Sequence, residues 1–140
     1  MSTPTTDLAT PTASLNVLLV DDDPFTHELL GSMLRSLGVT RVSSASDGTR
    51  GVAALKGSAP DLVVCDLHMP GMDGFQVMEA MAAEGYRGAV ILLSGMEERV
   101  LNSAALMGRL HHLKLLGVVH KPVSRQALSD LLGQVRRGQA

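Results

Sequence analysis

The chain has 140 residues, 45% hydrophobic and 19% charged, which is enough apolar content for one real core and excludes disorder along the whole chain. Twelve Lys and Arg against fourteen Asp and Glu leave a formal charge of -2, too balanced for an electrostatic grip on nucleic acid or an anionic membrane surface. Cys65 is the single cysteine, so no internal disulfide forms, and the longest unbroken apolar run, residues 89–93, falls far short of the ~18 residues a membrane span needs. A cytoplasmic setting with no direct nucleic-acid or membrane partner is the expectation.

Residues 1–14 are mostly Ser, Thr, Pro and Ala without periodicity and read as a flexible leader to a domain over residues 15–137, with 138–140 as a tail. The first apolar run, residues 16–20, ends in Asp21, Asp22 and Asp23. Phe25, Leu29, Leu30, Met33, Leu34 and Leu37 then recur at helical spacing, and Gly38 is a helix stop. A second run at residues 41–45 precedes a helix over residues 48–56 that Asp47 can cap. The third run, residues 62–65, ends at Asp66, and Asp73 can cap a helix over residues 74–83. The fourth run, residues 89–93, leads into Ser94, and a fifth at residues 118–119 stands before Lys121 and Pro122. Residues 97–112 form the longest helical candidate, and Leu128, Leu131, Leu132 and Val135 mark a closing helix.

Residues 17–20 and 90–93 are continuously apolar rather than alternating, the pattern of strands covered on both faces. A strand and a helix repeated five times predict an α/β fold: a doubly wound, five-stranded parallel sheet with right-handed crossovers. Such a sheet binds ligands outside the carboxyl ends of its strands. Asp21, Asp22, Asp66, Ser94 and Lys121 all follow a strand in this way.

Carboxylates converging at ~4 Å repel by about 4 kcal/mol per pair at an effective dielectric of 20, so positive charge belongs among them. Lys121 supplies one charge, and an oxygen-liganded Mg²⁺ suits the remainder, with positions left for phosphate oxygens. Zinc is poorly served, because Cys65 directly precedes Asp66 and points to the opposite face of the strand. Asp66 stands alone at its strand end before a Pro- and Gly-rich turn, which makes it the best-placed nucleophile toward a phosphoryl group. Asp23, directly before Pro24, reads as a helix-start acid instead. No glycine pattern spells a nucleotide-binding loop.

These residues resemble a known family. Leu18-Leu19-Val20-Asp21-Asp22-Asp23-Pro24, then Asp66-Leu67-His68-Met69-Pro70-Gly71-Met72-Asp73-Gly74, then Ser94, then Lys121-Pro122 are similar to the receiver domain of bacterial two-component response regulators, of the chemotaxis-receiver kind. The resemblance implies a flavodoxin-like fold with strand order 2-1-3-4-5. It implies that Asp66 accepts a phosphoryl group from a sensor histidine kinase or phosphotransfer protein. It further implies that Asp22, Asp66 and the backbone carbonyl of His68 ligate Mg²⁺, with Asp21 acting mostly through water. Ser94 takes the position of the switching hydroxyl, and Lys121 pairs with a phosphoryl oxygen.

The chain also departs from the family. Most receivers carry an aromatic residue three positions before the lysine, where Val118 stands here, so the signal is expected to travel through Ser94, the loop after it and the following helix. The stretch from Ser94 to Lys121 is about one helical turn longer than usual, filled by residues 97–116. Such segments resemble receivers joined to cyclic-di-GMP phosphodiesterase domains. The expected output is a change of contacts with a downstream effector domain or protein, or a homodimer through the fourth and fifth helical segments, rather than enzymatic turnover. One rival is a receiver-like scaffold that takes no phosphate. The other is a haloacid-dehalogenase-type phosphatase, which needs a second acid where His68 stands. His27 reads as a surface or helix-end residue.

Overall fold

The computed structural model describes residues 14–95 and 113–138. Its elements in chain order are β1 (Asn16–Val20), α1 (Pro24–Ser36), β2 (Arg41–Ala45), α2 (Gly48–Ser58), β3 (Leu62–Asp66), α3 (Gly74–Ala83), β4 (Ala89–Ser94), β5 (Lys114–His120) and α4 (Arg125–Gly138). The five strands form one parallel sheet in the order β2-β1-β3-β4-β5, the doubly wound topology expected of the sequence. Residues 1–13 of the expected leader and the helical candidate over residues 97–112 lie outside the described residues.

Alternation along the strands splits the core into two layers. Val17 and Leu19 of β1, Val64 of β3 and Ile91 and Leu93 of β4 pack against Leu30 and Leu34 of α1 and Leu128 and Leu132 of α4. Their neighbours Leu18, Val20, Val63, Cys65, Val90 and Leu92 face Leu55 of α2 and Val77, Met78 and Met81 of α3. The three central strands are buried on both faces, which is why their sequences read as continuous apolar runs. Each such Val or Leu contributes about 1.5–3 kcal/mol of hydrophobic stabilisation.

Short polar residues start the helices as the sequence indicates. The Asp23 carboxylate accepts from the Phe25 amide at 3.0 Å with Pro24 in the first turn of α1. Asp47 accepts from the Arg50 amide at 2.8 Å. Asp73 and Gln76 form a reciprocal capping box at 2.9 Å each way. After α1, Gly38 adopts φ 101°, a left-handed conformation that suits glycine.

One strand differs from its sequence reading. β5 runs over Lys114–His120, not just residues 118–119, so Lys114, Leu115 and Leu116 belong to the sheet rather than to the insert after Ser94. Leu115 pairs with Val90 but Gly117 with Ile91, a register shift at Leu116. The bulge interrupts alternation: Leu115 and Val118 pack on the α2 and α3 side, Leu116 and Val119 on the other. A strand carrying Lys, Gly and a bulge shows no clean period.

Candidate functional site

Four neighbouring strands, β1, β3, β4 and β5, deliver their carboxyl ends to one edge of the sheet, and the predicted residues meet there. Asp66 is the last residue of β3 and Ser94 the last of β4, both buried. Asp21 follows β1 and is buried, while Asp22 beside it is exposed. Lys121 follows β5, and its amide donates to the Ser94 carbonyl at 2.9 Å, which ties the lysine segment to the end of β4. The Lys121–Pro122 peptide is cis.

The Lys121 ammonium donates to Asp21 Oδ2 at 2.9 Å and lies 3.2 Å from Asp66 Oδ2. Carboxylate oxygens of Asp21, Asp22 and Asp66 all lie within 4.8 Å of one another. Burial pushes the Asp66 carboxyl above its ordinary pKa, and the charge of Asp21 adds to this; the His68 amide and Lys121 act in the opposite direction. Burial alone would lower Lys121, but its hydrogen bond to Asp21 and the charges of Asp21 and Asp66 outweigh that and raise it. The lysine therefore stays charged between the two acids.

Local turns aim the acids. Asp21 Oδ1 accepts from the Asp23 amide at 2.8 Å, and Asp66 Oδ1 accepts from the His68 amide at 3.2 Å. The Leu67 amide donates to the Leu93 carbonyl at 2.9 Å, extending the β3–β4 ladder past Asp66. Gly74 donates to the Leu67 carbonyl at 3.1 Å, and a Cβ there would sit 2.7 Å from Leu67 Cα, so only glycine lets α3 approach this close.

Three carboxylates against one ammonium leave the edge with excess negative charge, and every side-chain donor in the cluster is a hard oxygen. That set fits Mg²⁺. Cys65 contributes nothing to it: its side chain lies in the opposite core layer, and burial followed by the charge of Asp66 pushes its thiol pKa up.

One contact has no sequence signal. His27, on α1, hydrogen-bonds through Nε2 to the backbone carbonyl of Asp21. A partner that is a main-chain oxygen leaves no trace in residue spacing, so His27 reads as a surface residue until the structure is seen.

The model of the response regulator receiver domain family matches residues 17–133. The chain is 30% identical over 126 residues to chemotaxis protein CheY of Treponema pallidum, covering 88% of this chain and 83% of that protein. It is 31% identical over 125 residues to a positive alginate biosynthesis regulatory protein of Pseudomonas aeruginosa, covering 88% of this chain and 48% of the relative. It is also 31% identical over 119 residues to the cyclic di-GMP phosphodiesterase RocR of the same organism, covering 84% of this chain and 30% of the relative. The chain thus spans about half or less of these last two. Among solved structures, the CheX–CheY–BeF3–Mg²⁺ complex from Borrelia burgdorferi matches with TM-score 0.76 at 27% identity, covering 86% of this chain and 88% of that one.

Proposed function

The chain belongs to the response regulator receiver family, and from that premise we propose that Asp66 is its phospho-acceptor. The donor is a phosphohistidine on a sensor histidine kinase or a phosphotransfer protein. An Asp66 oxygen attacks phosphorus; the new P–O bond forms as the P–N bond breaks, and the imidazole leaves with the electron pair and takes up a proton. Asp21, Asp22, Asp66 and the backbone carbonyl of His68 would hold Mg²⁺. When bound, the ion supplies positive charge that offsets repulsion between the phosphoryl oxygens and the carboxylates. Lys121 holds its ammonium against a phosphoryl oxygen, and the Ser94 hydroxyl donates a hydrogen bond to another.

The observation that carries this reading is the Lys121 ammonium set between Asp21 and Asp66, 2.9 and 3.2 Å away. A buried carboxylate held ready beside a fixed cation suits a nucleophile whose product carries more negative charge than the ground state. His68 stands two residues after Asp66, where a phosphatase of the haloacid-dehalogenase type needs an acid. We therefore read the chain as a signalling switch over residues 15–137, not a turnover enzyme. Its output is a changed contact with a downstream effector domain or protein, or with a second copy, in the cytoplasm.

The test is to incubate the chain with acetyl phosphate and Mg²⁺, reduce the product with borohydride, and map the reduced residue by peptide mass. Reduction at Asp66 supports the assignment; reduction at Asp21 or Asp22 instead overturns it.

A further inference from the structure

We propose that His27 is a positioning residue that sets the direction of the Asp21 and Asp22 carboxylates toward the divalent cation. This inference rests on the phospho-acceptor reading of the same site. Asp21 is held at each of its polar groups: its amide donates to the Ala45 carbonyl at 3.2 Å, Oδ1 accepts from the Asp23 amide at 2.8 Å, and Oδ2 accepts from Lys121 at 2.9 Å. The remaining group is the backbone carbonyl. It lies beyond the last residue of β1, where the pairing with β2 has stopped at Val20 and Ala45 and that with β3 at Val20 and Cys65, so no strand among the described residues supplies its donor. The His27 ring does.

That carbonyl belongs to the peptide linking Asp21 to Asp22. Fixing its oxygen fixes the plane of the peptide, and with it the direction in which the two successive side chains leave the main chain. The exposed Asp22 has its backbone orientation set in this way. Groups that orient metal ligands from behind typically change metal affinity by about 10–100-fold when removed.

The state of the ring supports a dedicated role. A carbonyl only accepts, so Nε2 carries the hydrogen, and in the neutral ring Nδ1 is left as an acceptor. Nδ1 is buried and has no hydrogen-bond partner among the described residues. Burying a polar atom without a partner opposes folding, so a ring kept there for packing alone would be better replaced by an apolar one. Among the described residues, the one hydrogen bond the ring makes is the bond to Asp21.

Mg²⁺ affinity, measured calorimetrically, tests this in the wild type, in His27→Gln, which keeps an N–H at similar reach, and in His27→Leu and His27→Met, which have none. The expected result is affinity about tenfold weaker in the two apolar variants and within about threefold of wild type in His27→Gln. Acetyl phosphate labelling should need correspondingly more Mg²⁺ in the apolar variants and reach the wild-type rate at saturation. Equal affinity in folded apolar variants and wild type overturns the role of His27, as does a loss in His27→Gln as large as in the apolar pair. A second measurement uses wild type alone: the imidazole ¹⁵N signals of His27 must show Nε2 protonated and must shift with Mg²⁺ at the same midpoint as binding. A ring with hydrogen on Nδ1 and none on Nε2 overturns the inference even where no apolar variant folds. Wild-type protein that binds no Mg²⁺ overturns both this inference and the reading beneath it.

Discussion

The Lys121 ammonium lies 2.9 Å from an Asp21 carboxylate that stands 100 residues earlier in the chain, and the contact closes the site across the sheet. It joins the end of β1 to the segment after β5, past the intervening ends of β3 and β4. Its loss would leave buried carboxylates facing one another without a cation.

Replacing that lysine should therefore destabilise the metal-free chain. Lys121→Met is expected to lower unfolding stability by about 1–3 kcal/mol at neutral pH, read from urea melts. Because the folded Lys121 pKa lies above its ordinary 10.5, its contribution is complete below that value and is lost as pH rises through the folded value. The gap between wild type and variant should close at strongly alkaline pH. It should narrow again in acid as the carboxylates protonate.

Asp66 gives the opposite sign. Its folded pKa is raised above 3.8, so the stabilising form is the protonated one; that contribution is complete below 3.8 and is lost as pH rises through the folded value. Asp66→Asn should thus make the metal-free chain more stable than wild type at neutral pH, by about 1 kcal/mol. Added Mg²⁺ should reverse the order, since it binds more tightly to the chain that keeps the carboxylate and so stabilises it more. Paired thermal melts with and without Mg²⁺ check both halves.

Much of this site is legible in the sequence because the direction rule for parallel sheets is strong. Once residues 17–20, 62–65 and 89–93 read as buried strands, Asp21, Asp66 and Ser94 must share one edge, and the structure has them there. β5 reads poorly because Lys114, Gly117 and the bulge at Leu116 spoil its period. His27 is invisible because its partner is a main-chain oxygen. Gly74 reads as a turn former, whereas its place is set by how closely α3 approaches Leu67.

That close approach yields a third expectation. Gly74→Ala should cost about 1–3 kcal/mol, because the added methyl would meet Leu67 Cα at 2.7 Å and the Asp66 carbonyl oxygen at 2.9 Å, and main chain cannot step aside cheaply. Since the displaced segment carries Asp66, Mg²⁺ affinity should fall as well. Alanine at the exposed Gly57 in α2, where an added Cβ meets nothing, serves as the control and should lower neither.

Val118 is half-buried, pairs with Leu92 and packs on the α2 and α3 side of the sheet. With valine here the signal has no aromatic rotamer to use, so Val118→Tyr should leave any phosphorylation-linked change in self-association as it is in wild type. Analytical ultracentrifugation before and after acetyl phosphate treatment measures this; a change that emerges or vanishes with the tyrosine contradicts it.

The most direct measurement is the intact mass of the chain after incubation with acetyl phosphate, with and without Mg²⁺, beside Asp66→Ala. The phospho-acceptor role of Asp66 predicts one phosphoryl adduct that requires Mg²⁺ and is absent from Asp66→Ala. An adduct that persists in Asp66→Ala, or a folded wild-type chain that binds Mg²⁺ and gains no mass from either acetyl phosphate or a phosphohistidine donor, would contradict it.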